Sequence, residues 1–276
     1  MKGFFSLTAL VFCIAGKAQF YYNDIIATNI SNHHYSLIKL NKIKKVQVIT
    51  YDANNQPEDN FSLEQEFSNN WGKMSTTSTT ATGATSVIVN RYENDKVQQS
   101  TEIGKGVETV TKYTYDDKGR TQSISSTTKD TSLQYQSSEV HEWLYNDANQ
   151  PSLMLKIKNN SDTTRIEFIY DEKGNVAEEH WKRKGVEQET YYYYYNNGGF
   201  ITDIVRFNKR VQKLLPDFLF EYDNGNKLTQ QTQVPAGSSN YVVWKYDYNE
   251  MGLKQTETCY SKTNEMIGKV VYNYIK

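Results

Sequence analysis

Aromatic residues with polar neighbours are the part of this sequence best suited to chemistry, and the chemistry they favour is ligand binding. The chain has 22 tyrosines and 4 tryptophans among 276 residues. Ring faces stack on the apolar faces of sugars, and Asn, Gln or Asp beside them can bond hydroxyl groups. Residues 191–195 are all tyrosine, and successive side chains of a strand point to opposite faces. We therefore predict a binding surface made by Trp181, Tyr192, Tyr194 and Trp244.

Histidines and carboxylates do not predict a metal or a catalytic centre. His33 and His34 are adjacent, so on a strand they would face opposite sides and chelate poorly. His141 and His180 are single residues, and one turn aspartate such as Asp116 offers too few oxygens for calcium. The sequence has no GxSxG, HExxH or glycine-rich phosphate loop. We predict no catalytic residue, no metal and no cofactor.

A short phrase positions these residues, and it recurs about every 25 residues. It reads as an aromatic residue, Asp or Asn, two variable residues, then Gly or Asn, as in YDDKGR from Tyr115 and YDEKGN from Tyr170. An Asp at the second position can accept hydrogen bonds from the backbone ahead, and a Gly can adopt the positive φ of a tight reversal. The predicted turn residues are Asp116, Gly119, Asp171, Gly174, Gly198, Asp223, Gly225 and Gly252.

Alternating side chains on both sides of each turn predict paired strands. Ile166, Phe168 and Tyr170 share one side of the strand that precedes the DEKG turn. Reversals at both ends of each strand indicate an antiparallel meander of 16 to 18 strands. The predicted fold is all-β, with hairpin repeats coiled into an open shell, a spiral or a barrel-like sheet, because long sheets twist. We expect lysines of the KLNKIKK segment from Lys39 to protect its first edge.

The predicted domain organisation is simple. Residues 1–18 have the pattern of a signal peptide, with Lys2 followed by a short apolar stretch and cleavage after Ala18. Lipidation at Cys13 is a less favoured alternative, because Phe12 precedes it where a small residue is expected. Residues 19–44 show no helical periodicity and are expected to form a tether or edge cover. Residues 45–276 are expected to form a single β-repeat domain.

Charge and cysteine content restrict the partners. Without residues 1–18, the chain has 29 basic and 32 acidic residues, a net charge of −3. This balance does not predict binding to nucleic acid or to an anionic membrane surface. Cys259 would be the one remaining cysteine, and we expect it to be a half-buried small hydrophobic residue. An intermolecular bridge or a reactive thiol is the alternative.

The phrase, in KYTYDDKGR and FEYDNGNK, resembles the YD repeat of Rhs-type proteins, which include bacterial toxin shells and extracellular teneurins. The resemblance covers most of the chain after residue 18. It implies hairpins that spiral into a β-shell, and the family's repeats are often described as carbohydrate-binding. The chain has too few repeats to close the large shell of that family, and it has no aspartate-rich self-cleavage motif near its end. Encapsulation and autoproteolysis are therefore not expected.

We expect an exported, non-enzymatic repeat protein that binds or scaffolds an envelope or cell-surface partner, either a protein or a glycan. A carbohydrate-binding module that uses exposed Tyr and Trp is the alternative. An outer-membrane β-barrel is a minor alternative, because both strand faces often carry Lys, Glu or Gln, which lipid disfavours. No integral membrane segment is predicted after residue 18.

Overall fold

The computed structural model describes residues 19–208, 211–235 and 238–276. The predicted signal peptide, including Cys13 and its lipidation alternative, lies outside the described residues. A π-helical segment, Tyr21–Ile26, leads directly into α1, Ala27–Leu40. The strands that follow are β1 (Lys45–Tyr51), β2 (Ser62–Phe67), β3 (Lys73–Thr79), β4 (Thr85–Glu93), β5 (Lys96–Gly104), β6 (Val107–Tyr115), β7 (Thr121–Asp130), β8 (Tyr135–Tyr145), β9 (Pro151–Lys158), β10 (Asp162–Tyr170), β11 (Val176–Arg183), β12 (Val186–Tyr195), β13 (Ile201–Asn208), β14 (Lys213–Tyr222), β15 (Leu228–Gln233), β16 (Val242–Tyr248), β17 (Lys254–Ser261) and β18 (Met266–Ile275).

The strands form because apolar and polar side chains alternate along them. In β16, Trp244 and Tyr246 are buried, while Lys245 and Asp247, each one position further along, are exposed. This period of two places one side of each strand in the core. The predicted all-β fold, an antiparallel meander of hairpin repeats, is confirmed.

The chain divides into two compact units. Unit 1 contains residues up to 108 together with residues 244–276, and unit 2 contains residues 109–243. The single β-repeat domain expected over residues 45–276 stays a prediction. Each unit is described separately below.

In unit 1, the first and last strands of the chain are neighbours. β1 pairs with β18 along its whole length and with β2 on its other side, all antiparallel. The order β17–β18–β1–β2–β3–β4–β5 continues through successive antiparallel pairs. β1 therefore has no free edge, and the lysines from Lys39 do not protect one. The backbone groups that an open meander would expose are used in the β1–β18 pairing.

The segment of residues 19–44, expected to be a tether or edge cover, is mostly helical. The buried residues of α1 recur every three or four positions: Thr28, Asn32, Tyr35 and Ile38. This is the spacing of one helix face. Two of the four are polar, so the hydrophobic pattern alone does not reveal the helix.

The α1 helix packs into the core of unit 1. Tyr35 and Ile38 belong to a buried cluster with Ile43, Val46 and Leu63. The Tyr35 ring stacks on Tyr92, with centroids 3.6 Å apart and planes 2° from parallel. Contacts of this kind attach the helix firmly to the sheet, because they bury aromatic area as well as aligning the rings.

Polar bonds attach α1 to the strands as well. The Asn32 Oδ1 accepts a hydrogen bond of 3.0 Å from the backbone N–H of Val97 in β5. Lys39 forms a 2.5 Å ion pair with Asp95, in the turn before β5. The helix is thus held at both its middle and its C-terminal end.

In unit 2, strands β7 to β15 pair in sequence order, each antiparallel to the next. Buried residues of β8, β9, β10, β12 and β13 lie on one side of this sheet: Trp143, Met154, Ile166, Tyr193 and Ile204. We call that side the core face of unit 2. β6 joins the sheet through hydroxyl pairs with β7, including Thr109 to Thr128 at 3.0 Å.

Each recurring phrase forms a turn whose second residue caps the backbone. In the turn after Tyr170, the Asp171 Oδ1 accepts hydrogen bonds from the N–H groups of Lys173 and Asn175, at 2.9 and 2.8 Å. Asp116, Asn196, Asp223 and Asn249 accept the equivalent pairs of bonds in their own turns. The Asp or Asn is therefore required by backbone chemistry.

The left-handed residue of each turn is the fifth of the phrase, counted from the tyrosine. Gly174 has φ +84° and Gly252 has φ +74° at this position. Gly198 and Gly225, predicted as turn residues, lie in turns but occupy the fourth position. The positive φ there belongs to Gly199 (+78°) and Asn226 (+61°) instead. Asn tolerates this conformation better than other side chains do, so Asn can replace Gly at the fifth position.

The tyrosine that begins a phrase, here called the anchor tyrosine, is the last residue of a strand, and its hydroxyl group bonds the neighbouring strand that comes before it in the chain. The hydroxyl donates to the carbonyl oxygen of the first residue of that neighbour, in Tyr145 to Thr121 (2.7 Å) and Tyr222 to Ile201 (2.8 Å). The same bond joins Tyr170 to Pro151 and Tyr195 to Val176. Tyr274 of β18, which begins no phrase, makes an equivalent bond to Lys254, the first residue of β17. The recurrence of tyrosine is thus explained by a structural bond.

Candidate functional site

The four predicted binding residues are not brought together. Trp244 is buried in unit 1 with 6 % of its surface exposed. Trp181 is half-buried on the core face of unit 2, beside Tyr191. Tyr192 and Tyr194 point to the opposite side of the sheet from Tyr191, as their alternation predicts, and Tyr194 is 49 % exposed. These positions do not form one binding surface.

Trp181 has a structural partner. Its Nε1–H donates a 2.7 Å hydrogen bond to Glu179, which also accepts a 2.6 Å bond from the Tyr193 hydroxyl. Glu179 is fully buried. A buried carboxylate requires such donors, because without them its desolvation would be costly. Trp181 and Tyr193 therefore supply the hydrogen-bond donors that a buried carboxyl group in the core of unit 2 requires.

A group of charged side chains around Arg206 lies on the same face. Arg206 contacts Glu189 at 2.9 Å and Asp217 at 3.1 Å, and its guanidinium lies 5.9 Å from the ring centre of Tyr191. Burial raises the pKa of Tyr191 above its usual range, so its hydroxyl stays neutral. The charge of Arg206 is thus matched by acidic partners within the protein.

A polar groove of about 340 Å³ on the core face of unit 2 is the best candidate for a binding site. It lies near the strand ends remote from the phrase turns, between β7, β8 and β9. Its lining consists of hydroxyl, amide and charged side chains and one aromatic ring: Ser126, Thr128, Tyr135, Ser137, Ser138, Glu139, Lys158 and Asn159. Ligand pockets usually measure about 300–1,000 Å³, so the groove is large enough for a small polar ligand.

Strand register assembles this groove. Ser126 of β7 lies opposite Glu139 of β8, and Glu139 lies opposite Lys158 of β9. Thr128 lies opposite Ser137 one step nearer the hairpin end. Residues directly opposite in an antiparallel pair point to the same face, so these side chains form rows across three strands.

The electrostatics of the groove centre on Glu139. It lies 2.9 Å from the His141 Nε2 and 3.0 Å from the Lys156 Nζ. Burial by itself would raise the pKa of Glu139, but the hydrogen bonds from His141 and Lys156 outweigh it and lower the pKa to about 2. Glu139 is therefore a carboxylate at any physiological pH and can accept hydrogen bonds from a ligand.

Hydroxyl groups extend the polar surface beyond Glu139. Ser126 and Thr128 are bonded to Thr111 and Thr109 of β6 at 3.2 and 3.0 Å. Each hydroxyl still has donor or acceptor capacity left after one such bond. Tyr135 is 55 % exposed at the rim, so its ring can cover the face of a bound ligand. Together these groups suit a ligand rich in hydroxyls.

Sequence analysis missed this groove for identifiable reasons. Tyr135 lies outside the recurring phrase, and the segment around Ser126 and Thr128 reads only as strand residues of low complexity. His141 was treated as a single histidine, although it bonds Glu139. The signal that was available is the alternation of polar side chains at positions 126 and 128 of one strand and at 135, 137 and 139 of the next, which predicts a polar stripe on one face of each strand.

Cys259 is fully buried, and its burial raises its pKa to about 12. A buried thiol of this kind is a poor nucleophile. Within the described ranges, no group of three or more His, Cys, Asp or Glu side chains has the arrangement of a metal site. No helix in the described part of the chain has the length and apolar character needed to cross a membrane.

No protein-family model matches the chain, and no curated protein matches it at a significant level. Solved structures that resemble it include a porin-like protein from Bacteroides uniformis, which is 11 % identical in sequence and has a TM-score of 0.35. The match covers 84 % of this chain and 96 % of that chain. A porin-like protein from Bacteroides vulgatus has 10 % identity, 84 % and 98 % coverage, and a TM-score of 0.30.

The Tc holotoxin pore of Photorhabdus luminescens is also similar, with 12 % identity and a TM-score of 0.30. The match covers 85 % of this chain and 17 % of the toxin chain. At these scores none of the similarities carries an argument about activity or partners.

Proposed function

We propose that this protein is an exported, non-enzymatic binding protein of the cell envelope, and that it binds a saccharide in the polar groove of unit 2. The groove itself carries the proposal. It combines a row of hydroxyl groups, the carboxylate of Glu139, the cation of Lys158 and the exposed ring of Tyr135. Export is supported by the apolar segment after Lys2.

The chemistry of the groove favours a sugar over an apolar ligand. Burying polar side chains against an apolar molecule would leave their hydrogen bonds unmade, which costs free energy. A saccharide can bond Glu139, Thr128 and Asn159 through its hydroxyls, and its less polar face can lie on Tyr135. The ring and the polar groups lie on neighbouring strands, so one ligand can contact both.

The groove contains one carboxylate, Glu139, and the bonds from His141 and Lys156 keep its pKa at about 2. A glycosidase needs a second carboxyl group across the scissile bond, and one of the two must be protonated. Neither condition is met by the groove lining. Binding without hydrolysis is therefore the function that we propose.

Screening the labelled full-length protein on a glycan array, followed by calorimetry on any ligand found, tests the proposal. We expect Tyr135→Ala and Thr128→Val to weaken binding at least tenfold each. Thr128→Val keeps the side-chain shape and removes only the hydroxyl. Incubation of the bound glycan with the protein should release no product.

Tyr194→Ala is the matched control. Tyr194 is 49 % exposed, close to the 55 % of Tyr135, but it lies on the opposite side of the sheet. We expect it to leave binding within twofold of the original protein. A blank array, or an equal loss in Tyr194→Ala, would refute binding in this groove.

A further inference from the structure

Large apolar side chains are exposed at one end of the unit 2 sheet. All turns of the recurring phrase in unit 2 lie at one end of the strands, so the remaining turns lie at the opposite end, because neighbouring strands are antiparallel. We call this opposite end the apolar end. Its exposed side chains include Leu133 (75 %), Val186 (63 %), Val211 (49 %) and Leu214 (46 %).

These residues belong to three separate hairpins. Leu133 is in the turn between β7 and β8, Val186 begins β12, and Val211 and Leu214 flank the start of β14. The phrase turns at the other end consist of polar residues, Gly and Ala, except for Phe200, which is 39 % exposed. Exposed apolar side chains at the hairpin tips of unit 2 are therefore concentrated at the apolar end. Near the other end, Leu144, Ile169 and Tyr194 are also exposed, but they lie within strands rather than at the tips.

Acidic residues at the apolar end are bonded within the protein. Asp130 accepts hydrogen bonds from the N–H groups of Ser132 and Leu133, at 2.9 and 3.0 Å. Asp162 is paired with Arg183 at 2.7 Å. Their charges are thus largely compensated by local donors.

Lysines at the same end lack such compensation. Lys129, Lys184 and Lys213 are exposed and form no ion pair with any residue in the described ranges. Lys184 lies two residues from Val186, and Lys213 adjoins Leu214. Each apolar tip of these two hairpins therefore has a free positive charge beside it.

We propose that the apolar end of unit 2 docks on the surface of a lipid bilayer that contains anionic lipids. Separate projecting tips suit a bilayer, because each side chain can enter the soft interface independently. Lysines beside them attract the anionic headgroups. A folded protein partner would instead require one continuous apolar patch. This inference does not depend on saccharide binding.

Co-sedimentation of the full-length protein with vesicles tests it. We expect binding to vesicles of phosphatidylcholine with phosphatidylglycerol, and at least tenfold weaker binding to phosphatidylcholine alone. The triple variant Leu133→Ser, Val186→Ser, Val211→Ser should reduce binding to the mixed vesicles at least tenfold. The variant Lys129→Gln, Lys184→Gln, Lys213→Gln should remove the preference for anionic lipid.

A second triple variant is the control: Leu144→Ser, Ile169→Ser, Tyr194→Ser. These side chains are 45, 49 and 49 % exposed, and each precedes an anchor tyrosine at the phrase-turn end. Binding of this control should stay within twofold of the original. The proposal is overturned if the original protein does not sediment with the mixed vesicles, or if both triple variants lose binding equally. Saccharide binding is measured without vesicles, so either proposal can fail alone.

Discussion

The Tyr195 hydroxyl donates a 2.8 Å hydrogen bond to the carbonyl oxygen of Val176, the first residue of β11. Val176 is buried, with 1 % of its surface exposed. A buried carbonyl needs a partner, and the pairing of β11 with β12 begins only at Glu178, which lies opposite Tyr192. The tyrosine thus supplies a bond between β12 and the start of β11 that the ladder of these two strands does not provide.

Tyr195→Phe should lower the free energy of unfolding by about 1 kcal/mol, the usual net contribution of a hydrogen bond of this kind. The ring remains, so packing is retained and the loss reports the hydroxyl. Chemical denaturation followed by circular dichroism measures it. Tyr194→Phe, at a half-exposed position next to it, should change stability by less than about 0.5 kcal/mol. Equal effects in the two variants would contradict the assigned role of the Tyr195 hydroxyl.

The turns and strands of this fold could be predicted from sequence because their causes are local. Asp171 caps the backbone only two and four residues ahead of itself. Strand alternation around Phe168 is also a property of a few consecutive residues. The phrase therefore contains most of the information that its own hairpin needs.

The position of the turn residue with positive φ was harder to predict from the sequence. In YNNGGF and YDNGNK, the first glycine after the tyrosine is Gly198 or Gly225, and both occupy the fourth position. Gly199 and Asn226 at the fifth position have the positive φ. Aligning the phrase on Tyr rather than on the first Gly identifies the correct residue.

Gly199→Ala should reduce the free energy of unfolding by about 1 kcal/mol, because φ at this position is +78° and a Cβ is disfavoured there. An added Cβ would meet no atom closer than 4.0 Å, so backbone conformation rather than a clash causes the loss. Thermal unfolding measures the effect.

Gly225→Ala is the matched control for that variant. Gly225 occupies the fourth position, where other turns carry Lys118, Lys173 or Met251. A side chain is therefore compatible with this position. We expect a change of less than about 0.5 kcal/mol, and a loss as large as that of Gly199→Ala would contradict the difference between the two positions.

The α1 helix and the polar groove could not be read from local pattern. The buried face of α1 includes Thr28 and Asn32, whose role depends on strands far along the chain, such as the Val97 amide. The groove depends on which strands pair and in which register, because Ser126, Glu139 and Lys158 are unremarkable residues individually. Partners distant in sequence decide both features.

His34 shows how the helix makes the stability of unit 1 depend on pH. Burial, followed by repulsion from Lys254, lowers the pKa of His34 from 6.5 to about 4. In the unfolded chain the same histidine takes up its proton near pH 6.5. Acidification between these two values therefore favours the unfolded state, which binds the proton more readily.

Above about pH 6.5, His34 should not change the free energy of unfolding of unit 1 with pH. As the pH is lowered from 6.5 towards 4, this free energy should fall by up to about 3 kcal/mol in total. Denaturation curves at several pH values measure this loss. His34→Gln, which cannot be protonated in this range, should remove most of the dependence. His33→Gln, at the exposed neighbouring position, should retain it. If both variants keep the full dependence on pH, the imidazole of His34 is not its source, and carboxylates or other histidines must account for it.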